Sequence, residues 1–595
     1  MTLLSFAQAT SNPLLFRRNQ KHTEVISLSK QALGNWDHEV DFLVVGSGGG
    51  GMTAAITAHH HGLRTLVIEK SPVYGGTTAL SGGVIWIPNN HLMPLANVRD
   101  SAEEAMRYLE QVVSADVPRE RLQAYVEYGP AMLKFLEENS LVKFDPAPVY
   151  PDYYAELDGG KSGARSLDPR PYSIRELGEE LHSVMRQSEL VHNNTFSMTA
   201  SEAHEIFSFT WRSHVVIFKR LLSYWLDIPS RLKKLPDNRL TLGKALVARL
   251  RHSMEKQQIP LWLSTPLKEI VMEEGKVIGV IVEQEGRLLH VKTNKGVLIA
   301  AGGFAYNYDM RQRYHRKPTG TTWTAASHAD TGDGILLGQQ AGAQIGMMGY
   351  AWWTPTLVLP NNVVEAFIVG KSMPSCMMVN QKGQRILNEA EPYEDFVKHQ
   401  YESNDNAPSI PAWFVFDARY RHEYPLGTAM APGKYMGDSL YKELFESGWI
   451  KKSDTVSGLA EQCGIDAEEL ENTFARMTEF AWKGCDEDFG KGNTLNDKYY
   501  SDHRISPNPC LAPLDKPPFY AVQIWPGDLG TKGGLVADEY ARVLDKNNQV
   551  IPGLYVTGNS SASVMGDSYP GAGSTIGPSM TFGYIAAKHA AEVKE

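Results

Sequence analysis

Apolar runs cut short by glycine recur along this chain and set its organisation. The first, residues 42–45 (Phe-Leu-Val-Val), leads into Gly46, Ser47, Gly48, Gly49, Gly50 and Gly51. A helix-like segment follows over residues 52–61, and a second apolar run, Thr65–Ile68, ends at Glu69 and Lys70. The pattern predicts strand, glycine turn, helix, strand and acid in succession. Two later segments repeat the theme: residues 297–303, which close on Ala301, Gly302 and Gly303, and residues 553–559, which close on Gly558 and Asn559. A single sheet drawn from three distant segments implies a discontinuous α/β, Rossmann-like domain.

The stretch 351–512 then reads as an inserted α+β domain, with helical patches such as 470–482 and strand-like pieces such as Ala412–Phe416. The expected division is a leader at 1–38, a first cofactor-domain part at 39–350 with an insertion at 188–236, a catalytic domain at 351–512, and a second cofactor-domain part at 513–595. The cleft between the domains is the expected active site.

Each part of the first motif has a physical job with a dinucleotide. Gly46 allows the tight turn, Gly48 lets backbone approach a pyrophosphate, and Gly51 lets the helix pack close to the strand. The helix N-terminus presents unpaired N–H groups and positive dipole charge to phosphates. Glu69 stands where a carboxylate accepts hydrogen bonds from an adenosine ribose, and its charge disfavours the 2′-phosphate of NADP. Glycines also build ordinary turns, but here strand, helix and distal acid agree. A second Gly/Ser/Thr loop, Gly75, Gly76, Thr77, Thr78, Ser81, Gly82 and Gly83, shifts the choice from NAD to the longer FAD.

Residues 206–228 stand apart. On a helical wheel Phe207, Trp211, Val215, Phe218, Leu222 and Trp225 share one face, while Arg212, Ser213, Lys219, Arg220, Ser223 and Asp227 lie opposite. Pro229 ends the pattern and Arg231, Lys233 and Lys234 follow. The charges rule out a membrane span and suit an interfacial helix with aromatic anchors. A helix packed on its own domain has the same periodicity.

At 595 residues the chain needs two or three domains. Its 42% hydrophobic and 21% charged residues are those of an ordinary globular protein. The formal net charge of -10 and the lack of a basic domain speak against a nucleic-acid partner. Cys376, Cys463, Cys485 and Cys510 are scattered without CxxC or zinc spacing, which suits a reduced, cytoplasmic setting. His59, His60 and His61 point in different directions on a helix and form no shared metal-ligand set, so no metal is expected. The leader lacks the basic start and apolar run of a secretory signal.

Three loops carry candidate chemistry: Pro151-Asp152-Tyr153-Tyr154, Asn388-Glu389-Ala390-Glu391-Pro392-Tyr393, and Ser568-Tyr569-Pro570-Gly571-Ala572-Gly573 before the helix start at Ser574, Thr575 and Ile576. On these loops the chain resembles the 3-ketosteroid Δ1-dehydrogenases, within the fumarate reductase/succinate dehydrogenase flavoprotein superfamily. The resemblance extends to residues 41–83, Thr331-Gly332-Asp333-Gly334 and Gly530-Thr531-Lys532-Gly533-Gly534-Leu535, and runs from about residue 40 to the end. Dicarboxylate-reducing relatives place an Arg where this chain has Tyr393, a His where it has Gly530, and an Asn-Arg-Leu-Gly-Gly run where it has Tyr569-Pro570-Gly571-Ala572-Gly573. The cations that clamp a dicarboxylate are therefore missing, and a carboxylate buried without them is costly.

The resemblance implies non-covalent FAD, a 3-ketosteroid substrate, and a separate, unidentified electron acceptor. It implies that Tyr569 O–H and the Gly573 N–H hold the C3 carbonyl and stabilise an enolate, glycine being required because a side chain would crowd the substrate. Tyr393 would remove the C2 proton, hydrogen-bonded to Tyr153 as relay, and the C1 hydride would pass to flavin N5. A free tyrosine has a pKa of about 10, so Tyr393 needs help to ionise. Asp333 resembles a flavin-domain residue and fits a helix N-cap equally. Trp352 and Trp353 suit an apolar pocket wall and equally core packing. A Δ4-(5α)-dehydrogenase of 3-ketosteroids, a reductase of small unsaturated acids, and a non-catalytic flavin-fold lipid carrier are the alternatives. Contact of residues 206–228 with the inner membrane face is a further expectation.

Overall fold

The computed structural model describes residues 36–187, 197–232 and 237–593. The 1–38 leader lies outside the described residues except for its last three, as do residues 188–196 and 233–236 of the insertion.

Five parallel strands form the heart of an eight-stranded sheet, in the order Val550–Val556, Arg287–Ile299, His38–Val45, Thr65–Ile68 and Leu261–Trp262. Both faces are covered, which is why these strands read as unbroken apolar runs. Phe42, Val44 and Val67 enter the core on one face, and Leu43, Val45, Leu66 and Ile68 that on the other. Val45 pairs with Ile68 and Ile299, and Ile299 with Val556, so the carboxyl ends of four strands align at one edge. Loops leaving such an edge form a ligand crevice.

Glycine makes the close stacking behind that edge possible. Gly46 has a φ of 108°, and a Cβ there would lie 2.3 Å from the Ala300 carbonyl oxygen. A Cβ on Gly51 would lie 2.2 Å from the Gly46 carbonyl oxygen, so the helix Gly49–His60 starts tight against its strand. The closing helix Ile576–Glu592 crosses it at Gly583, whose Cβ would lie 2.4 Å from the Gly50 carbonyl oxygen.

The second unit is built on a six-stranded antiparallel sheet. Its central strand is Phe519–Thr531, which pairs with Ala351–Val358, Ala412–Phe416 and Lys451–Ser453. The sheet therefore reaches past the 351–512 segment drawn from the sequence. The reason is physical: Phe519–Thr531 is buried along most of its length and is hydrogen-bonded on one edge to Ala351–Val358 and on the other to Ala412–Phe416. The helix Tyr393–Asn406 packs on Ala351–Val358, and its acidic first turn, Glu394 and Asp395, suits the helix dipole.

The single helix expected over 206–228 is broken in two, Ala200–Phe207 and Trp211–Leu226, and a short turn of helix, Ile228–Leu232, follows. Phe209 interrupts it with a φ of 56°. Its ring packs on Tyr424 at 5.5 Å, with the guanidinium of Arg504 at 4.5 Å and the ammonium of Lys434 at 5.0 Å. Seating that ring requires a left-handed backbone that a helix cannot contain. Ser213, on the polar side of the wheel, is buried, and Arg220 pairs inward with Glu202 at 3.5 Å. Trp211, Phe218 and Trp225 are instead 73%, 65% and 66% exposed. No described helix is long and apolar enough to cross a membrane.

The crossing of the two glycine-bearing helices is directly testable. Gly50→Ala would place a methyl 2.4 Å from Ser579 Oγ and 2.5 Å from its carbonyl oxygen. We expect a loss of about 1–3 kcal/mol, the usual cost of overpacking, read as a lower urea midpoint. A midpoint equal to that of the parent would mean that the helices part freely.

Candidate active site

A cavity of about 1570 Å³ lies along the carboxyl edge of the parallel sheet and continues to the second unit. Single drug-sized ligands fill pockets of roughly 300–1,000 Å³, so this one has room for a cofactor and a substrate together.

The first strand and its helix build one end. Gly46, Ser47, Gly48, Gly49, Gly50 and Gly51 all line the cavity. The helix Gly49–His60 has no side-chain cap at Gly48, and the Gly49 N–H donates to Thr78 Oγ1 at 3.1 Å. Its positive end therefore faces the cavity, as an anion site requires. Glu69 stands at the carboxyl end of the second strand and lines the wall. Its Oε2 accepts from the Ser47 hydroxyl at 2.7 Å and its Oε1 from the Ser71 N–H at 2.9 Å, so the carboxylate is aimed by its neighbours.

The second loop closes over this end. Gly76, Thr77, Thr78, Ser81, Gly82 and Gly83 line it. A methyl on Gly82 would meet no protein atom within 4 Å, and one on Gly76 would meet only Gly48 Cα at 3.8 Å. These are positions a cofactor would fill, and the chain's residues fit FAD. Lys70 pairs with Thr331 and Asp333 across the cavity. Asp333 opens the helix Asp333–Gln340, whose N-cap is Gly332, so Asp333 is not the cap. Ala301, Gly302, Gly558, Asn559 and Ile576 also line the cavity. Ser574 does not: its hydroxyl donates to the Gly571 carbonyl at 2.7 Å and accepts from the Gly571 N–H at 3.1 Å. It closes the turn that carries Tyr569 and Gly573, a short-range task that a glycine-rich motif hides.

Asp330, which the sequence reading passed over, is buried at the same wall and accepts from Thr77 Oγ1 at 3.0 Å. Burial pushes its carboxyl up to about 7. The signal was present in its place directly before the Thr-Gly-Asp-Gly motif.

At the far end three tyrosines meet. The ring centroids of Tyr153 and Tyr393 are 5.4 Å apart, those of Tyr153 and Tyr569 5.5 Å, and those of Tyr393 and Tyr569 5.0 Å. Each comes from a different part of the fold. Tyr393 opens its helix directly after Pro392. Tyr569 lies in the loop before the closing helix, and its hydroxyl pairs with Thr575 Oγ1 at 2.9 Å. Tyr153 sits on a loop held by Asp152, which accepts from Trp86 Nε1 and Arg165, both at 2.7 Å. The Tyr153 N–H donates to the Pro570 carbonyl at 3.0 Å, so its loop is tied to that of Tyr569.

Tyr393 and Tyr569 line the cavity, and Tyr153 backs them. Tyr153 Oη is buried and makes no hydrogen bond of good geometry, but it lies close enough to Tyr393 for each phenol to act on the other through a side-chain hydrogen bond, as expected of the pair. The neighbouring Tyr154 is engaged elsewhere, donating to Asp395 at 2.9 Å. Burial pushes the Tyr393 phenol well up from its ordinary value, with Tyr569 and Tyr150 adding to the shift. Burial raises Tyr569 as well, against the opposing pull of Thr575. All three phenols are therefore neutral at rest. Tyr150 and Tyr500, absent from the sequence reading, join this wall, with Tyr500 Oη donating to Tyr150 Oη at 3.3 Å.

Gly573 lines the cavity, but its glycine has another cause than substrate crowding. Its φ is 102°, and a Cβ would lie 2.5 Å from the Ile85 carbonyl carbon and 2.6 Å from the Trp86 nitrogen. Gly530 has a φ of 138°, and a Cβ there would lie 2.5 Å from Asn559 Nδ2, so a histidine would strain the backbone and displace the Asn559 amide. Trp352 packs on Tyr569 at 5.0 Å and donates to Asn559 Oδ1 at 2.9 Å, while Trp353 is buried against His315 and Tyr401.

The family model described as FAD binding domain matches residues 41–576. The 3-oxosteroid 1-dehydrogenase of Mycolicibacterium smegmatis is 39% identical over 562 residues, 92% of this chain and 96% of the relative. Among solved structures, the 3-ketosteroid Δ1-dehydrogenase of Sterolibacterium denitrificans, in complex with 1,4-androstadiene-3,17-dione, is 41% identical. It superposes with a TM-score of 0.90 and covers 93% of this chain and 99% of its own. The 3-ketosteroid-Δ4-(5α)-dehydrogenase of Rhodococcus jostii shares the fold at 20% identity and a TM-score of 0.65, covering 95% of this chain and 99% of its own. With the dinucleotide cradle and the tyrosine wall opening onto one cavity, the chain belongs to the FAD-binding-domain family of flavoproteins, in its 3-oxosteroid 1-dehydrogenase group.

Proposed function

We propose that this chain introduces a C1=C2 double bond into ring A of 3-ketosteroids, with Tyr393, Tyr569, Tyr153 and Gly573 handling the proton and the carbonyl. The observation that carries the reading is the meeting of three buried phenols, two on one wall of the cavity and Tyr153 directly behind them, while the cofactor loops line the other end.

The steroid's C3 carbonyl accepts from Tyr569 O–H and from the Gly573 N–H. Tyr393, as phenolate, takes a proton from C2, and the electron pair left behind moves onto the C3 oxygen as an enolate. The two donors stabilise that charge where water is excluded. Collapse of the enolate restores the carbonyl and forms C1=C2 as hydride leaves C1. Bound FAD supplies the two-electron acceptor for that hydride. Tyr153, its ring 5.4 Å from that of Tyr393 and in side-chain hydrogen-bonding reach of it, takes the proton onward. A separate electron acceptor completes turnover.

Access to this wall runs beside the insertion. Tyr224, Thr199 and Ala203 of the two insertion helices line the cavity, while Trp225, next in sequence to Tyr224, faces outward. A helix that turns Trp211, Phe218 and Trp225 outward beside the exposed cations of Arg212 and Lys219 suits a lipid surface. We read it as a dock on the inner membrane face that places the cavity beside poorly soluble substrate.

Anaerobic titration of the yellow protein with a 4-ene-3-ketosteroid should bleach the flavin band and yield the 1,4-diene. A Δ4-(5α)-dehydrogenase would leave that substrate unchanged, and a lipid carrier would bind it without bleaching. Tyr393→Phe should lower kcat by about 10²–10⁴-fold, the range of a lost general base, and Tyr569→Phe by about 10²-fold or more, with FAD retained in both.

The base is reactive as phenolate, and burial raises its pKa above the ordinary phenol value. Below that pKa the ionised fraction grows about tenfold per pH unit. Saturated initial rates should therefore keep climbing between about pH 7 and 9. A plateau already reached at neutrality would assign the proton to a different group.

Replacing Trp211, Phe218 and Trp225 together by Ser should release the enzyme from phosphatidylcholine–phosphatidylglycerol vesicles in a flotation assay, with flavin content and soluble-substrate turnover unchanged. Equal flotation of parent and variant would remove the docking role.

A further inference from the structure

Behind the tyrosine wall lies a buried ammonium that the reaction above leaves unused. Lys532 Nζ is wholly buried and donates to Glu394 Oε1 at 2.6 Å, Glu394 Oε2 at 2.8 Å and the Ser568 carbonyl at 2.7 Å. Those three bonds exhaust its donors. The Trp352 ring centroid lies 4.4 Å away. Neither Lys532 nor Glu394 reaches the cavity wall.

The partners are what set this lysine apart. Glu394 is the residue after Tyr393, and Ser568 is the residue before Tyr569. Trp352, under the ammonium, is the ring that packs edge-on against Tyr569 at 5.0 Å. One nitrogen thus ties the helix end that carries the base, the loop that carries the carbonyl donor, and the indole that backs that donor. The base comes with the six-stranded sheet and the donor with the cofactor unit, so the tie spans the junction between them. Lys398 adds a second strap: it lies 3.6 Å from Glu394 Oε1 and donates to the Asp567 carbonyl at 2.6 Å.

As a stabilising device the pair is poor. Desolvation pulls the Lys532 ammonium down to about 8 and the Glu394 carboxyl up to about 7. Replacing both partners of a buried ion pair by apolar side chains often loses no stability. What three directional bonds provide is a fixed distance. The reaction needs one: base and donor must address adjacent carbons of one rigid ring, and a misplacement of about 1 Å can lower a rate by about 10²-fold.

We propose that Lys532, through Glu394 and the Ser568 carbonyl, is the positioning residue that sets the spacing between Tyr393 and Tyr569. The inference rests on the function proposed above. Its test is the FAD-loaded double variant Lys532→Met, Glu394→Leu, which removes both charges and leaves neither orphaned. Flavin content, thermal midpoint, kcat and KM are measured beside the parent with a 4-ene-3-ketosteroid. We expect full flavin, a midpoint equal to or above that of the parent, a kcat lower by ten- to a hundredfold, and a KM changed by less than threefold. A kcat within twofold of the parent overturns the proposal, because the pair would then be packing alone. If the double variant fails to fold, Glu394→Gln, which keeps the side-chain volume and one acceptor oxygen, decides in the same assay. A kcat at least fivefold lower at unchanged KM supports the proposal, and a parental kcat overturns it. A parent that turns over no 4-ene-3-ketosteroid overturns the functional reading itself, and this inference with it.

Discussion

Exclusion of water from three mutually touching phenols governs what this protein can do. Each hydroxyl is buried, and burial disfavours its ionised form. The resting wall is therefore a set of neutral donors. Such a wall accepts a ketone, whose oxygen takes two hydrogen bonds, and rejects a carboxylate, which would need a cation. In the mechanism proposed above, the same burial makes Tyr393 a reluctant base, so proton removal is coupled to a substrate carbonyl that can receive the electron pair. Specificity and reactivity share one physical origin.

The cofactor end was written openly in the sequence. Strands buried on both faces leave unbroken apolar runs, and a tight turn followed by a close helix leaves glycines at fixed intervals, so residues 42–51 and 65–69 could be read directly. The two catalytic-looking tyrosines at 393 and 569 were legible only through motif resemblance, since nothing local distinguishes them from other tyrosines. Long-range relations were hidden. That Phe519–Thr531 belongs with Ala412–Phe416 depends on pairing across about a hundred residues, which periodicity does not encode. Ser574 looked like a cofactor ligand because of its neighbours, yet its hydroxyl serves its own turn.

The insertion teaches a related lesson. Its amphipathic pattern was correctly recognised but could not say which face points inward. Contact with the protein runs through Ser213 and the Arg220–Glu202 pair, with Val216, Ile217 and Tyr224 half-buried beside them, while Arg212, Lys219 and Ser223 of the polar side stay exposed. A wheel diagram is blind to that choice, because it contains no information about the surface beneath the helix. Phe209 was equally hidden: its cationic neighbours Arg504 and Lys434 come from remote parts of the chain.

The strand Phe519–Thr531 has a topological cost for anyone dividing the molecule. Cut out as residues 351–512, the second unit would lose its middle and leave Ala351–Val358 and Ala412–Phe416 with raw edges, a template for aggregation. The chain leaves that strand and enters the cofactor unit within a few residues, at Gly533 and Gly534. The two halves are thus stitched by a continuous thread rather than joined by a linker, and only a permuted or split-and-reassembled chain could separate them intact.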